Sequence, residues 1–431
     1  MKLSMKILAI LLSCTVYLRS AAAQDENCWH YEDGEAEIVG AIDTPGSACD
    51  VKVVGDYAYV TDHDFGLFVI DVTEAENFEI VGNVDTPGWA YGVAISGDYA
   101  YVADGSPGLQ IVDVTDPQNP AIMCCVDTPS SARDVAVSGD YAYIADYLGL
   151  QVIDVTDPES PQIIGGLNTP GYVYGVTVDG THLYVADGGS GLQVVSITDP
   201  ANLEIAGSVD TPGTAVDVTI SAGCAYIADH NYGLQVVDIT DPENPWIVGS
   251  ADTPQFAWGV AIAGSYGYIG DGFSGLQVID VANSQNPQII GDTDTPGYAS
   301  GIAVSGIYVY VADGLSGLLT FPVQCEDTVA VSSDVGETPG NAPQLAACPN
   351  PFNPQTAIAF TLAQPHHVEV TVYDAIGCRV AVLADGAYSA GGHSVIWNGK
   401  DAADRPVPSG TYVIRLATAS YSRTHKVTLL R

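Results

Sequence analysis

The chain has 431 residues, 47% of them hydrophobic, and a formal net charge of −40. That is enough apolar material for at least one large core, and enough length for two or three domains. So negative a charge argues strongly against binding nucleic-acid phosphates or an anionic membrane surface, and it suits a solvated acidic surface, solubility in high salt or loose association with divalent cations.

The first residues read as a secretory signal over 1–23. Lys2 and Lys6 give a basic start, residues 7–18 are apolar, and Ala21, Ala22 and Ala23 form a small-residue cleavage site. The run ending at Cys14 has a second reading as a lipoprotein cleavage site. No later stretch of about 18 apolar residues follows, so no transmembrane segment is expected in the mature chain. Between 25 and 331 there are two basic residues, Lys52 and Arg133, against 45 acidic ones; from 345 to 431 there are seven basic and five acidic. That shift marks a domain boundary.

Thr-Pro recurs at Thr44, Thr86, Thr128, Thr169, Thr211, Thr253 and Thr295, in steps of 41 or 42 residues. A period near 42 is the length of a propeller blade. Within the unit 85–126, short β-rich runs at 92–95, 99–103, 109–114 and 121–126 alternate with Ser-Gly-Asp, Asp-Gly and Asp-Pro turn signals. Four short strands per repeat are predicted, and no helical period is present.

The passage typified by residues 233–242, Gly-Leu-Gln-Val-Val-Asp-Ile-Thr-Asp-Pro, resembles the LVIVD-repeat proteins. The resemblance spans about 36–323 and implies a β-propeller, while leaving activity undefined. Two series fix the number of blades. The fourth-strand Ile recurs at 38, 80, 122, 163, 205, 247 and 289, and the third-strand Gly-Leu starts at 66, 108, 149, 191, 233, 275 and 317. The first series begins before the first repeat and the last repeat lacks its fourth strand. A seven-bladed all-β propeller over 24–325 is therefore expected, closed by pairing residues 36–42 with 317–323, which removes exposed edges.

Cys28 and Cys325 flank the two halves of that seam. A disulfide between them would close a loop of nearly 300 residues, worth about 4–5 kcal/mol in the chain-entropy picture. Cys348 with Cys378 is a second pairing the sequence allows.

An Asp follows the second strand of every blade: Asp62, Asp104, Asp146, Asp187, Asp229, Asp271 and Asp313. Seven copies argue for a structural role, expected to be capping of the turn into the Gly-Leu strand. The alternative is a ring of calcium sites. No Asp-x-Asp-x-Asp-Gly loop with a distal Glu supports it, so no cofactor is predicted and calcium is the one ion such turns would admit. The Asp-Pro turns at 116, 157, 199 and 241 are read in the same way.

One end of the propeller has uniform turns; the other carries the Asp-Gly loops and the variable crossings after Thr-Pro. Three and five residues after each Thr stand Ser47 and Cys49, Trp89 and Tyr91, Ser131 and Arg133, Tyr172 and Tyr174, Thr214 and Val216, Phe256 and Trp258, Tyr298 and Ser300. Where the first is Ser or Thr, the residue three further on is Asp (Asp50, Asp134, Asp217). Where it is aromatic, that residue is Gly (Gly92, Gly175, Gly259, Gly301). The expected reason is that a large ring needs space beneath it, whereas a hydroxyl can share a hydrogen bond with the Asp. One reading packs these aromatics over the inner strands. The other makes this end a binding face of Trp89, Tyr91, Tyr172, Tyr174, Phe256 and Trp258, with His63, Tyr147, His230 and Tyr232 in neighbouring loops. Arg133 is expected to be held by nearby Asp side chains, with grip on a ligand carboxylate as the alternative.

Residues 326–345 read as a polar linker. In 346–431, period-2 runs broken by Gly and Pro predict a small Ig-like β-sandwich with Trp397 and Tyr412 in its core. The segment is similar to the C-terminal modules related to the flagellar hook-capping protein and to type IX secretion sorting domains. The match is carried by residues 349–354 (Pro-Asn-Pro-Phe-Asn-Pro), Val372, Tyr373, Asp374 and Gly377, residues 390–393, Trp397 to Gly399 and Ser409 to Tyr412. It implies bacterial export and surface display or release, with residues 426–431 as part of the signal; a plain accessory domain is the alternative.

Neither a nucleophile-elbow motif nor a His-Glu-x-x-His metal motif occurs, and the histidines are scattered. The expected function is therefore non-catalytic binding or adhesion at a bacterial cell surface by a monomer. The ligand would be carbohydrate, peptide or protein, and the secretion machinery a second partner. The alternative is an extracellular propeller hydrolase or lyase acting at the variable face.

Overall fold

A computed structural model describes residues 29, 31, 36–324, 345–348, 356–362, 364, 366–373, 379–389, 391–400, 405, 407, 410–418 and 422–429. The chain divides into two compact units, Met1–Cys325 and Glu326–Arg431. The predicted signal, Cys28, Cys325 and Cys378 lie outside the described residues, as does the predicted linker 326–345 apart from Leu345, which begins a strand.

The larger unit is seven separate four-stranded antiparallel sheets, none closed on itself. In the first, β2 (Ala48–Val54), β3 (Tyr57–Asp62), β4 (Gly66–Asp71) and β5 (Glu79–Val84) follow one another from channel to rim. The second blade runs Gly92–Ser96, Tyr99–Ala103, Leu109–Asp113 and Ala121–Val126, within a residue or so of the sequence expectation. Alternating Val, Ile, Tyr and Ala make both faces of the second and third strands apolar, so these strands sit between neighbouring blades and are almost wholly buried. The outer strands are half exposed and bulged by one residue in six blades, for example opposite Ile111 and Val112.

One backbone bridge recurs between blades. In six blades the residue after the repeated Asp pairs with the next crossing, as in Gly105–Ala132, Gly188–Ala215 and Gly272–Ala299, and Gly314 of the seventh blade pairs with Ala48 of the first. Tyr310, Ala312 and Leu318 of the seventh blade share an apolar cluster with Val51, Ala58 and Phe68 of the first.

The seventh sheet contains Ile302–Ser305, Tyr308–Ala312, Leu318–Pro322 and, at its edge, β1 (Gly40–Ile42) from near the N-terminus. Gly40, Ala41 and Ile42 lie opposite Thr320, Leu319 and Leu318. Ahead of β1, Tyr31 is buried between the sixth and seventh blades. Its amide donates to Gln324 Oε1 and its hydroxyl to the Pro322 carbonyl, both at 2.9 Å. The sequence reading gave Tyr31 no part in the seam.

The smaller unit has a three-stranded sheet (Leu345–Cys348, Thr356–Leu362, Gly391–Trp397) and a four-stranded one in the order Arg379–Tyr388, His366–Tyr373, Gly410–Ala417, Ser422–Leu429. Apolar residues of both form one core around Phe360, Val370, Trp397, Tyr412 and Ile414. The Trp397 and Tyr412 rings meet edge-on at 4.9 Å.

Candidate functional site

The repeated Asp holds the crossings that build the variable face. In six blades its carboxylate accepts from the Thr hydroxyl of Thr-Pro and from the amide two residues later. Thr86 donates to Asp104 Oδ1 at 2.6 Å and Gly88 N to Asp104 Oδ2 at 3.0 Å; the other pairs span 2.5 to 3.0 Å. The expected cap on the Gly-Leu turn is thus corrected: the side chain is spent on the chain entering from the previous blade. In the first blade the amide bond persists, but Thr44 Oγ1 and Asp62 Oδ1 are buried without partners. Burial raises the pKa of six of these carboxyls, Asp104 and Asp229 among them, against the lowering effect of their hydrogen bonds. The Asp-Pro turns at the other end are capped: Asp116, for example, accepts from Gln118 N and Asn119 Nδ2. Among the described residues, no group of three or more His, Cys, Asp or Glu is placed to hold a metal ion.

The inner strands surround a cavity of about 390 Å³ at the channel mouth. Its lower tier is Asp50, Lys52, Asp134 and Asp217. Each Asp accepts from the amide after it and from an amide in the next blade: Val93 at 3.1 Å from Asp50, Val176 at 2.8 Å from Asp134, Val260 at 2.9 Å from Asp217. The alternation of Asp and Gly is therefore a clamp between blades, which corrects the expectation of a hydroxyl sharing a bond with the Asp. The Gly is required because the neighbouring backbone is too close for a side chain. A Cβ on Gly92 would stand 2.9 Å from Asp134 Cα, and one on Gly259 2.2 Å from the Ser300 carbonyl oxygen. Seven is odd, so one pair of like blades must adjoin, and it is the sixth and seventh, with Gly259 and Gly301; from the seventh to the first blade Gly301 N donates to the Cys49 carbonyl at 3.0 Å.

Lys52 Nζ lies 3.3 Å from Asp50 Oδ1. Burial alone would lower its pKa, but Asp50, Asp134 and Asp217 outweigh that and hold it above the usual range. Burial pushes Asp134 up to about 7 and raises Asp217, with Lys52 pulling both down. Cys49, which also lines the cavity, is pushed up to about 12 by burial and by Asp62 and Asp50, so its thiol is protonated at neutral pH.

The upper tier is aromatic, with three copies of one arrangement. His63 stacks on Trp89 at 4.9 Å and meets Tyr91 edge-on at 5.2 Å. Tyr147 stacks on Tyr172 at 4.5 Å and meets Tyr174 edge-on at 5.8 Å. His230 stacks on Phe256 at 4.3 Å and meets Trp258 edge-on at 5.1 Å. Tyr147 and His230 take φ of 51° and 47°, where four other blades place Gly105, Gly188, Gly272 and Gly314. A non-Gly residue there costs on the order of 1–2 kcal/mol, offset by the stacked rings. Burial lowers the pKa of His230, which favours the neutral ring.

Arg133 does not rest on an Asp, contrary to one sequence expectation. Its guanidinium carbon is 4.2 Å from the centroid of Tyr91 and 5.3 Å from that of Tyr147. Its Nε is buried without a partner, and among the described residues no carboxylate lies within ion-pair distance of it.

Of the eleven predicted binding residues, Tyr91, Arg133, Tyr174 and Trp258 line the cavity. Trp89, Tyr172 and Phe256 lie outside it as exposed platforms, 56%, 50% and 38% accessible, stacked on His63, Tyr147 and His230. Tyr232 is exposed in its loop and makes no part of the cavity wall. Sequence reasoning gave no site role to Lys52, and it named the three clamp Asp residues and Tyr298 only in the crossing pattern; the Tyr298 hydroxyl accepts from Trp258 Nε1 at 2.5 Å. A signal existed for Lys52: it is one of two basic residues in the propeller, two positions after Asp50 and so on the same strand face.

No curated protein matches the chain. Among solved structures, it is similar to the Cps50 (Swd1) β-propeller domain of Myceliophteria thermophila (TM-score 0.55, 12% identity, 67% of this chain and 100% of that one). It is also similar to U3-55K (0.54, 11%, 67% and 98%) and to the computationally designed Ika8 protein (0.51, 7%, 67% and 100%). At such identities the likeness speaks for the propeller fold alone. Among the described residues no helix is long and apolar enough to cross a membrane. Residues 350–422 match the FlgD Ig-like domain. Seven consecutive segments from 45–86 to 296–320, more than half the chain, match the LVIVD repeat, and the protein belongs to the LVIVD-repeat family.

Proposed function

We propose that this protein is a non-catalytic binding or adhesion propeller, exported to the bacterial cell surface, whose ligand sits at the mouth of the central channel. The observation that carries the reading is the cavity of about 390 Å³ walled by Tyr91, Tyr174, Trp258 and Tyr298 with Arg133 beside them. Its volume falls in the range of small-ligand sites, and aromatic walls with a few fixed polar groups are the usual composition of such sites. The protonated Cys49 thiol and the amide-bonded Asp134 and Asp217 leave the mouth without an evident activated nucleophile, which favours binding over the hydrolase or lyase alternative.

Replacing Trp258 and Tyr174 together by Ala in the full chain is expected to abolish binding to the hits of a glycan and peptide screen while leaving the fold intact. Unchanged binding refutes the site.

The export reading rests on the basic and apolar N-terminus and on the likeness of residues 346–431 to type IX sorting domains. Deleting 346–431 is expected to leave the protein inside the cell; normal surface delivery refutes a sorting role. In the same reading β1 is the strand that closes the ring, and a Cys28–Cys325 disulfide latches it. Supporting this, the Trp29 amide donates to the Val323 carbonyl at 2.8 Å, and Trp29 bridges Gln324. A free thiol at Cys28 in the secreted protein removes the latch.

A further inference from the structure

Resting on the reading of the mouth as a binding site, we propose that its ligand is a sugar unit bearing a carboxylate, of the uronic acid type, with the carboxylate held by Arg133. Arg133 is the only arginine of a propeller dominated by acidic residues, yet among the described residues no carboxylate lies within ion-pair distance of it. The contrast with Lys52 is direct, since Lys52 is paired with Asp50 at 3.3 Å. The mouth therefore has two electrostatic tiers. Charges acting on Asp134 come from Lys52, Asp50 and Asp217, whereas Arg133 acts on Tyr91 and Tyr174. In the upper tier the guanidinium is the one charged group among the cavity-lining side chains, so that tier favours an anion although the whole protein is acidic.

The Tyr91 and Tyr147 rings hold the guanidinium at the mouth, and a guanidinium has five N–H donors in a fork that fits a carboxylate in two parallel bonds. The cavity wall also holds Tyr174, on the blade next to Arg133, and Trp258 and Tyr298, where the Trp258 ring is held by its bond to Tyr298. Flat rings with polar edges suit the C–H face of a pyranose. The carboxylates of the lower tier are acceptors, matched to hydroxyl donors and repelling a second negative charge. A single acidic unit in an otherwise neutral chain satisfies all three.

The test titrates the full-length protein with short glucuronate- and galacturonate-containing oligosaccharides, with their methyl esters, and with peptides carrying a free carboxylate. The acidic sugars are expected to bind at least tenfold more tightly than their esters. Arg133→Gln is expected to remove that preference, and Arg133→Lys to retain part of it, because lysine keeps the charge without the fork. Thermal denaturation of each variant checks that the ring is intact. Esters binding as well as acids, with Arg133→Gln silent but Trp258→Ala abolishing both, overturns the carboxylate and leaves the mouth standing. Binding that survives both substitutions overturns the mouth as well. Preference for the peptides, or no binding by any probe at millimolar concentration, overturns the sugar assignment.

Discussion

The first blade supplies an internal control for the bond that repeats in the other six. In the fifth blade the Thr211 hydroxyl donates to Asp229 Oδ1 at 2.7 Å, with Thr211 6% and Asp229 0% exposed. Thr211→Val keeps the shape and removes the donor, leaving a buried carboxylate oxygen without it. A hydrogen bond to a charged group is worth about 1.5–3 kcal/mol, so a loss of about 2 kcal/mol is expected, roughly a 30-fold change in the unfolding equilibrium. Thr44 is just as buried, but its hydroxyl and Asp62 Oδ1 are already unpartnered. Thr44→Val therefore removes a buried polar atom that gains nothing, and stability is expected to stay level or rise by up to about 1 kcal/mol. Urea unfolding of the full chain measures both, and amide exchange at Gly213 localises the first. Equal losses at the two positions, or none at Thr211, refute the assignment of the repeated Asp as the anchor of the crossings.

The pH dependence has a definite sign. Burial raises Asp104, Asp146, Asp187, Asp229, Asp271 and Asp313 above the ordinary carboxyl value and takes Asp134 to about 7. A carboxyl with a raised folded pKa contributes stability that is present below its unfolded value near 4 and is lost as the pH rises through the folded value. The thermal midpoint of the propeller is thus expected to be higher at pH 5 than at pH 8, and the reverse order refutes this account. Lys52→Met leaves Asp50, Asp134 and Asp217 without their cation and is expected to destabilise at pH 8 more than at pH 5; an equal effect at both contradicts the two-tier description. Tyr31→Ala empties a buried ring position and is expected to cost about 3–5 kcal/mol locally, seen as faster amide exchange in Gly40–Ile42 and Leu318–Pro322. Unchanged exchange there shows that Tyr31 does not pin the N-terminal segment.

What the sequence determined by itself was everything with a local or periodic cause. The step of 41 or 42 residues counted the blades, and β-branched and aromatic runs between turn residues placed the strands to within a residue or so. The coupling of Ser or Thr with Asp, and of an aromatic with Gly, was also visible. Its cause was not, because the partners are a whole blade away: Asp50 reaches Val93, Asp134 reaches Val176 and Asp217 reaches Val260. A hydrogen bond spanning 42 or 43 residues leaves no trace in local spacing. The site followed the same division. Tyr91, Tyr174, Trp258 and Arg133, which line the cavity, stand out in the sequence because they vary where the repeat is otherwise constant. Only the tertiary structure decided that Trp89, Tyr172 and Phe256 are exposed outside the cavity, and that Lys52 pairs with Asp50 while Arg133 stands on Tyr91 with no carboxylate within ion-pair distance among the described residues. Which charges meet at the mouth depends on seven inner strands converging on one channel, and that convergence exists only once the blades have packed.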